Sequence, residues 1–152
     1  MRQVKLSPEK CVLCESCLIA CTLEHSALKG TNAFDINAVC LARDKTAPRL
    51  GIKAKDGKPQ LVICRNCKKP KCVEACETGA IYKKEGSVII DDDRCDGCNA
   101  CVDACPYRAV WKNPAGTVPV KCDSCLGEEP ACVCACPTEA LQMSEEDEEA
   151  DD

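Results

Sequence analysis

Four closely spaced groups of cysteine constrain the fold of this chain more than any other feature of its sequence. The first, CVLCESCLIAC at residues 11–21, separates four cysteines by two, two and three residues. The groups hold sixteen of the 18 cysteines in 152 residues, whereas the chain has only one Trp, two Tyr and one Phe. Because so few large apolar side chains make a thin core, cross-links or bound metal must hold much of the fold.

The rest of the chain favours metal over disulfides. Residues 1–10, MRQVKLSPEK, have neither the apolar segment of a signal peptide nor a twin arginine. No run reaches the roughly 18 apolar residues of a membrane span. We therefore expect a soluble, cytoplasmic protein, and in that reducing compartment clustered cysteines bind metal more often than they pair with each other.

Negative charge is concentrated at the C-terminus. Residues 144–152, SEEDEEADD, carry seven acids and no base, which leaves 18 acids and 20 bases in the body of the chain. Such a tail is typical of disordered, solubilising segments. The bases lack the aromatic or helical framework of a nucleic-acid interface, so no nucleic-acid partner is expected.

The cysteines also mark an internal repeat. After the last cysteine of the second, third and fourth groups the chain reads CETGAIYK, CPYRAVWK and CPTEALQM, with alanine always four residues on. Each of these groups is expected to lead into a strand. The groups are one (Cys11, Cys14, Cys17, Cys21), two (Cys64, Cys67, Cys72, Cys76), three (Cys95, Cys98, Cys101, Cys105) and four (Cys122, Cys125, Cys132, Cys136).

This pattern predicts an α+β fold of loops, short helices and small hairpins. The small residues between the third and fourth cysteines suit one helical turn in every group. Two short strands around a Gly-containing turn are expected in residues 80–90 and again in 109–120. Terminal strands are expected at 3–7 and 140–143.

Residues 22–63 interrupt the repeat and are expected to pack on the outside of the protein. They contain a predicted strand at 34–42, then a connection rich in Lys, Gly and Pro, and the run QLVIC at 60–64 that leads into group two. Cys40, in the predicted strand, is expected to be a small buried apolar residue rather than a ligand. Cys134 is not expected to be a ligand either, because its use would break the three-residue spacing at the end of group four.

The spacing within each group predicts an iron–sulfur site. A cubane [4Fe–4S] cluster needs a thiolate on each iron, and C-x2-C-x2-C supplies three from one loop while the fourth cysteine points to a second cluster. Groups one and three have this run unaltered, and groups two and four lengthen the middle spacer to four and six residues. Zinc is the alternative, although zinc sites usually separate their cysteine pairs by a longer spacer.

Connection lengths favour a nested exchange of the fourth cysteines. Groups two and three are joined only by residues 77–94, so they can form a compact two-cluster unit, which leaves group one to exchange with group four. Exchange between neighbours, one with two and three with four, stays open. The nested exchange predicts set A (Cys11, Cys14, Cys17, Cys136), set B (Cys122, Cys125, Cys132, Cys21), set C (Cys64, Cys67, Cys72, Cys105) and set D (Cys95, Cys98, Cys101, Cys76).

These motifs resemble a known family. Residues 64–110 are similar to a bacterial two-cluster ferredoxin, and residues 1–143 resemble the four-cluster ferredoxin-like electron-transfer subunits of molybdenum and tungsten oxidoreductases, CO dehydrogenases and hydrogenases. The resemblance implies nested ligand exchange and two nested ferredoxin-like modules, pseudo-twofold βαβ units with short hairpins around four [4Fe–4S] clusters. The proline that ferredoxins carry after the fourth cysteine is absent from groups one and two.

The resemblance also implies how the chain is divided. Residues 1–30 and 111–143 would form an outer module from groups one and four. Residues 64–110 would form an inner module from groups two and three. Residues 31–63 would connect them, and the acidic tail would follow the outer module.

The expected function is electron transfer and not catalysis. Full ligation by cysteine leaves no iron open for bond chemistry, and no other residues pair a nucleophile with a base. His25 is predicted to lie at a solvent-exposed helix end, and Trp111 to pack in the core. The expected partners are a catalytic subunit, such as a tungsten aldehyde oxidoreductase, CO dehydrogenase, formate dehydrogenase or hydrogenase, a second redox protein, and further copies of the chain in an extended wire. A free polyferredoxin and a zinc-binding scaffold are the alternatives.

Overall fold

The computed structural model of the chain describes residues 2–29, 37, 40, 47–113 and 118–145. Within these ranges the fold combines short helices with two-stranded antiparallel sheets. The strands are β1 (Arg2–Leu6), β2 (Gly51–Lys55), β3 (Lys58–Val62), β4 (Ile81–Lys84), β5 (Ser87–Ile90), β6 (Val110–Trp111), β7 (Val120–Lys121) and β8 (Leu141–Glu145). The helices are α1 (Ser16–Glu24), α2 (Lys71–Glu74), α3 (Ala100–Ala104) and α4 (Ala131–Cys134), with a 3-10 turn at Ser124–Gly127.

The strands pair as the repeat predicts. β4 pairs with β5 and β6 with β7, so groups two and three each lead into a hairpin. β1 pairs with β8 and aligns Leu6 with Leu141, which brings groups one and four together. Helices occupy all four predicted turns between the third and fourth cysteines. The α+β class is therefore confirmed.

Two apolar cores hold these elements together. α1 packs against α4, and α2 packs against α3. Cysteine groups one and four thus meet in one core, and groups two and three meet in the other. The outer core consists of Cys17, Cys21, Leu50, Cys132 and Leu141. The inner core consists of Cys72, Ile81, Val88, Cys101 and Val110.

The segment that precedes group two differs from expectation. Residues 51–62 form the β2–β3 hairpin, which was not predicted. The expected packing on the outside is wrong for this part, because Leu50 is 2% exposed in the outer core and Ile52 and Leu61 pack against it. A lysine- and glycine-rich strand gives a weak apolar pattern, so its contacts could not be inferred locally.

Two other predictions fall partly outside the described residues. Of the strand predicted at 34–42, only Asn37 and Cys40 are described, and both are helical and exposed. The buried strand position predicted for Cys40 is therefore wrong, since a short apolar run cannot distinguish a strand from a helix.

The acidic tail is the second such prediction. β8 continues to Glu145, so the part of the predicted tail that follows this strand, residues 146–152, lies outside the described ranges.

The helices of the described part are short. The longest is α1, with nine residues. In those ranges no helix combines the length and apolar character needed to cross a membrane.

Candidate metal centres

The C-x2-C loop of every group turns at the same place. In all four groups the residue before the second cysteine has a left-handed backbone, with φ between 49° and 75°. Asn66 N donates to Cys64 Sγ at 3.5 Å, and Ser124 N donates to Cys122 Sγ at 3.4 Å. Amides directed at a sulfur favour its thiolate form, so these loops suit metal ligation. The turning residues are Leu13, Asn66, Gly97 and Ser124.

Groups three and four fix the second cysteine with an aspartate from the motif C-D-x-C. Asp96 Oδ1 accepts from Cys98 N, and Asp123 Oδ1 accepts from Cys125 N, each at 3.1 Å. The bond from the Cys98 amide lowers the pKa of Asp96. Each aspartate therefore holds the turn of its loop.

The fourth cysteine of groups two, three and four is followed by a tight turn. The residue three positions on, Gly79, Arg108 or Glu139, is left-handed, and its amide donates to the carbonyl of the fourth cysteine at 3.1–3.2 Å. The next residue is always alanine and is at most 1% exposed. In group three, Ala109 N donates to Cys105 Sγ at 3.4 Å. The repeat thus brings amides to its own fourth sulfur.

These turns change the acidity of exposed sulfurs. Burial alone would raise the pKa of Cys76 and of Cys136, but backbone amides and the hydroxyls of Thr78 and Thr138 lower both overall. The Ser16 hydroxyl, 3.4 Å from Cys14 Sγ, lowers the pKa of Cys14. Hydrogen bonds from hydroxyls and backbone amides therefore favour the thiolate form of Cys14, Cys76 and Cys136.

We call the parts of the protein around the outer core and the inner core its outer half and its inner half. In the outer half, the cysteines of groups one and four surround two cavities. Four thiols around one space form the donor set that a cubane cluster needs, so the residues fit such a group. Each quartet corresponds to one predicted set, and Cys64 of set C also borders the second cavity. The first cavity is lined by Cys11, Cys14, Cys17 and Cys136, and the second by Cys21, Cys122, Cys125 and Cys132.

The buried thiols of the outer half resist ionisation. Burial raises the pKa of Cys17 to about 11 and that of Cys132 to about 12. Burial also raises the pKa of Cys21, although Arg49 N donates to its sulfur at 3.1 Å. At all three positions nearby thiols of the same set add to the rise. Metal must therefore displace protons here, because thiolate is the ligating form.

In the inner half, the third and fourth cysteines of groups two and three share the inner core. Burial raises the pKa of Cys72, and the Cys64 and Cys105 thiols add to the rise. Three sulfurs of set C therefore lie near one another. Cys67, in the same loop, receives a hydrogen bond from Lys83 Nζ to its carbonyl at 3.2 Å.

Set D follows the same pattern. Burial raises the pKa of Cys101 to about 11, and the thiols of Cys72 in set C and of Cys95 and Cys76 in set D add to the rise. Cys98 is the exposed second cysteine of this loop. Three of the four predicted sulfurs therefore lie near one another, with Cys98 at the surface.

Thiols of different predicted sets also affect one another. Cys17 raises the pKa of Cys132, Cys64 raises that of Cys122, and Cys72 raises that of Cys101, in each case after the larger effect of burial. These electrostatic pairs link set A with B, set B with C and set C with D.

A polar network that was not predicted lies beside set B. Arg49 forms an ion pair with Asp123, and His25 Nε2 lies 3.7 Å from Asp123 Oδ1 and 4.0 Å from Cys125 Sγ. His25 does end α1, but its side chain is only 12% exposed, so the prediction of a solvent-exposed histidine is wrong. Burial, and then the Arg49 charge, lower the pKa of His25, which is therefore neutral near pH 7. In the sequence, the aspartate that both C-D-x-C motifs contain was the feature from which this network could have been suspected.

Two buried polar side chains join the inner and outer halves. Asn66 Oδ1 accepts from Val88 N at 3.0 Å, and Asn66 Nδ2 donates to Ser124 Oγ at 3.3 Å. Lys121 Nζ donates to the carbonyl of Val88 and to that of Cys122. Asn66 and Lys121 are 2% and 3% exposed. No sequence signal marked either residue, because their partners are distant along the chain.

Cys134 and Trp111 were not predicted to be ligands. Cys134 is exposed on α4. Trp111, predicted to pack in the core, is half-buried, and its Nε1 donates to Pro48 O at 3.1 Å. Across the described ranges, no three His, Cys, Asp or Glu residues are grouped so as to hold a single metal ion.

Known proteins share these features. The 4Fe-4S dicluster domain matches residues 59–146, which contain groups two, three and four. The thiosulfate reductase electron transfer subunit PhsB of Salmonella typhi is 34% identical, over 95% of this chain and 77% of its own length. The electron transport protein HydN of Escherichia coli (strain K12) is 32% identical, over 87% of this chain and 81% of its own length.

A solved structure has the same fold. It is a chain of the active site complex BamBC of benzoyl coenzyme A reductase, with a TM-score of 0.51 at 19% identity, covering 99% of this chain and 83% of that one. The dicluster match and the 18 cysteines together indicate several [4Fe–4S] clusters as cofactors. The family resemblance inferred from the cysteine motifs is confirmed, and the chain belongs to the ferredoxin-like electron-transfer family that carries the 4Fe-4S dicluster domain.

Proposed function

We propose that this chain binds four [4Fe–4S] clusters through sets A to D and relays electrons as a non-catalytic subunit of an oxidoreductase complex. The clusters supply one-electron reduction and oxidation when bound. The chain supplies sixteen sulfurs, excludes water from the buried ones and holds the sets in a row. Groups one and four would form the outer module with residues 47–63, and groups two and three the inner module.

The observation that carries the nested arrangement is the division of the sulfurs between two cores. Cys21 shares its core with Cys132 of group four, whereas Cys76 packs against the core that contains Cys101 of group three. Exchange between neighbouring groups would instead require Cys21 to lie with group two. The quartets around the two outer cavities support the same pairing.

Electron transfer follows from saturated ligation and from the relatives. When all four irons of a cube are held by cysteine, no iron position is left for a substrate. PhsB and HydN are named as electron-transfer proteins, and PhsB as a subunit of thiosulfate reductase. We infer that this chain likewise passes electrons between a catalytic subunit and a second redox partner.

Iron analysis tests the number of clusters. Anaerobically purified full-length protein should contain about 16 irons and 16 sulfides per chain, four of each per cube, and should bleach with dithionite. Cys98→Ser should damage one cube and lower the reducible iron selectively. Colourless, folded protein that contains zinc would overturn the proposal.

A crossed pair of double variants tests the ligand sets. If exchange is nested, Cys21→Ala and Cys122→Ala affect the same cube, so the double variant should keep about 12 irons. Cys21→Ala with Cys64→Ala would then affect two cubes and leave about 8. Exchange between neighbouring groups predicts the reverse result for the two double variants, so each serves as the control of the other.

Purification from the native source tests the role as a subunit. A large catalytic protein should remain associated through gel filtration at moderate ionic strength. If the chain elutes alone with all its iron, it acts as a diffusing polyferredoxin instead.

A further inference from the structure

Lys121 places an ammonium group inside the protein at the junction of its two halves. The residue ends β7, immediately before Cys122, and is 3% exposed. Its Nζ donates to the carbonyl of Val88 in β5 and to that of Cys122, the latter at 2.6 Å. Lysine is almost never fully buried unless its charge is compensated, so this placement needs an explanation.

The two hydrogen bonds use two of the three donors of the Lys121 ammonium and do not compensate its charge. Both acceptors are neutral carbonyls. Among the residues that the structure describes, no carboxylate forms an ion pair with Lys121, and the nearby Asp123 pairs with Arg49. Because burial of an ammonium is unfavourable unless a negative charge compensates it, the neighbouring thiolate sets are the candidates for that charge.

Both hydrogen bonds of Lys121 lead toward the two middle sets, B and C. One acceptor is the carbonyl of Cys122, a set B cysteine, and the other is the carbonyl of Val88, which packs in the inner core with Cys72 of set C. Cys64 of set C also borders the cavity that the set B cysteines line. The ammonium therefore lies where the second and third sets adjoin.

We propose that Lys121 is the shared counter-ion of the two middle clusters, those of sets B and C, and that it raises the reduction potential of both. This inference rests on the ligand sets of the proposed function. Each reduction adds one electron, supplied by the redox partner, and requires no proton and no change in bonding. A fixed buried cation favours the reduced form of a neighbouring cluster, because that form carries one more negative charge. The effect is strong because the protein interior screens the charge of the cation less than water would.

The consequence concerns the route of electrons through the molecule. Sets B and C are the only adjoining sets that belong to different cores. A cation between sets B and C lowers the energy of an electron on either of their clusters. It thereby favours electron transfer between the outer pair of sites, A and B, and the inner pair, C and D. The exposed lysines around group two are screened by water and salt and cannot act with the same strength.

Two neutral variants separate the charge from the hydrogen bonds. Lys121→Gln keeps a side-chain donor for the two carbonyls, whereas Lys121→Met removes the donor as well. Lys69→Met is the matched control, because it removes one positive charge near set C from an exposed position. The measurement is a redox titration of the full-length, iron-loaded protein, followed by electron paramagnetic resonance.

Lys121→Gln should lower the reduction equilibrium constants of two of the four clusters by about tenfold, which is 59 mV for a one-electron couple. Lys121→Met should do the same, and Lys69→Met should change every potential by less than twofold in equilibrium constant. The two affected signals should be those lost in Cys122→Ala and in Cys64→Ala.

Three results would overturn the inference: no selective change in Lys121→Gln, an equal change in all four clusters, or loss of all iron from Lys121→Gln, which would indicate a structural role. If Lys121→Met fails to fold, Lys121→Gln decides alone. Fewer than four clusters in the unmodified protein would instead contradict the proposed function, so the two failures are distinguishable.

Discussion

The fourth cysteine is held in one way in groups two, three and four and in another way in group one. In the three repeats, the sulfur is met by amides of the turn that follows it, such as Ala109 N to Cys105 Sγ at 3.4 Å. In group one the helix α1 continues past Cys21 to Glu24, so no such turn forms. The amide for Cys21 comes instead from Arg49, 28 residues away, at 3.1 Å.

The sulfur of Cys21 therefore receives a backbone amide even though group one lacks the turn that supplies it in the other three groups. Position four after the last cysteine is a buried alanine in three groups and His25 in the first. His25 faces Asp123, which pairs with Arg49. Residues 47–63 therefore replace a missing turn, and they belong to the site although they contain no cysteine.

Leu50→Ala should break this arrangement most severely. Leu50 is 2% exposed in the outer core, next to the residue that caps Cys21. Removing a buried leucine side chain costs about 2–5 kcal/mol of unfolding free energy. The midpoint of anaerobic urea unfolding should fall accordingly, and iron should be lost first from sets A and B.

The control for this variant is Leu126→Ala, since Leu126 is 71% exposed in the loop of group four. Its unfolding midpoint should match that of the unmodified protein. If both variants lose equal stability, or if Leu50→Ala releases iron evenly from all sets, the replacement role of residues 47–63 is wrong.

Asp123→Asn should have the second largest effect. Asp123 is the buried partner of Arg49 and also accepts the Cys125 amide. Breaking a buried ion pair costs about 3–5 kcal/mol, and a value near 3 is expected because Arg49 keeps 26% of its side chain exposed. Asp103→Asn, at an exposed site on α3, should change the urea midpoint by under about 0.5 kcal/mol. Similar losses in both variants would contradict the special role of Asp123.

The parts of this protein that the sequence predicts are those that depend on local spacing. Cysteine spacing and the alanine register placed the helical turns, the β4–β5 and β6–β7 hairpins and the terminal strands, because each repeat specifies its own turn. Leu50 and Arg49 could not be found in this way, since their partners lie in groups one and four, far away along the chain. Lys121 precedes a cysteine in an apolar stretch, and only its distant contact with Val88 shows why it is buried.

Ala109→Val should test the local form of the turn. Ala109 is 1% exposed, so the two extra methyl groups of valine must be accommodated inside the protein next to the amide that donates to Cys105 Sγ. Overpacking of this kind costs about 1–3 kcal/mol. The urea midpoint of the loaded protein should fall, and iron should be lost from set C before set B. Ala54→Val, on the exposed part of the β2 strand, is the control and should leave the midpoint unchanged.

His25→Ala restores the repeat's alanine in group one and should have the smallest effect. If every fourth cysteine required an alanine four residues later, as in groups two, three and four, then His25→Ala would stabilise the protein. If instead residues 47–63 have taken over the role of the turn, the change removes a half-buried side chain whose Nε2 lies 3.7 Å from Asp123 Oδ1, and it costs about 0.5–1.5 kcal/mol, the lower part of the range for single substitutions. We expect the second result, because α1 continues through the position where the turn would form and Arg49 already supplies the amide to Cys21. A rise in the urea midpoint would show that the alanine position, and not the remote hairpin segment, is what the fourth cysteine requires.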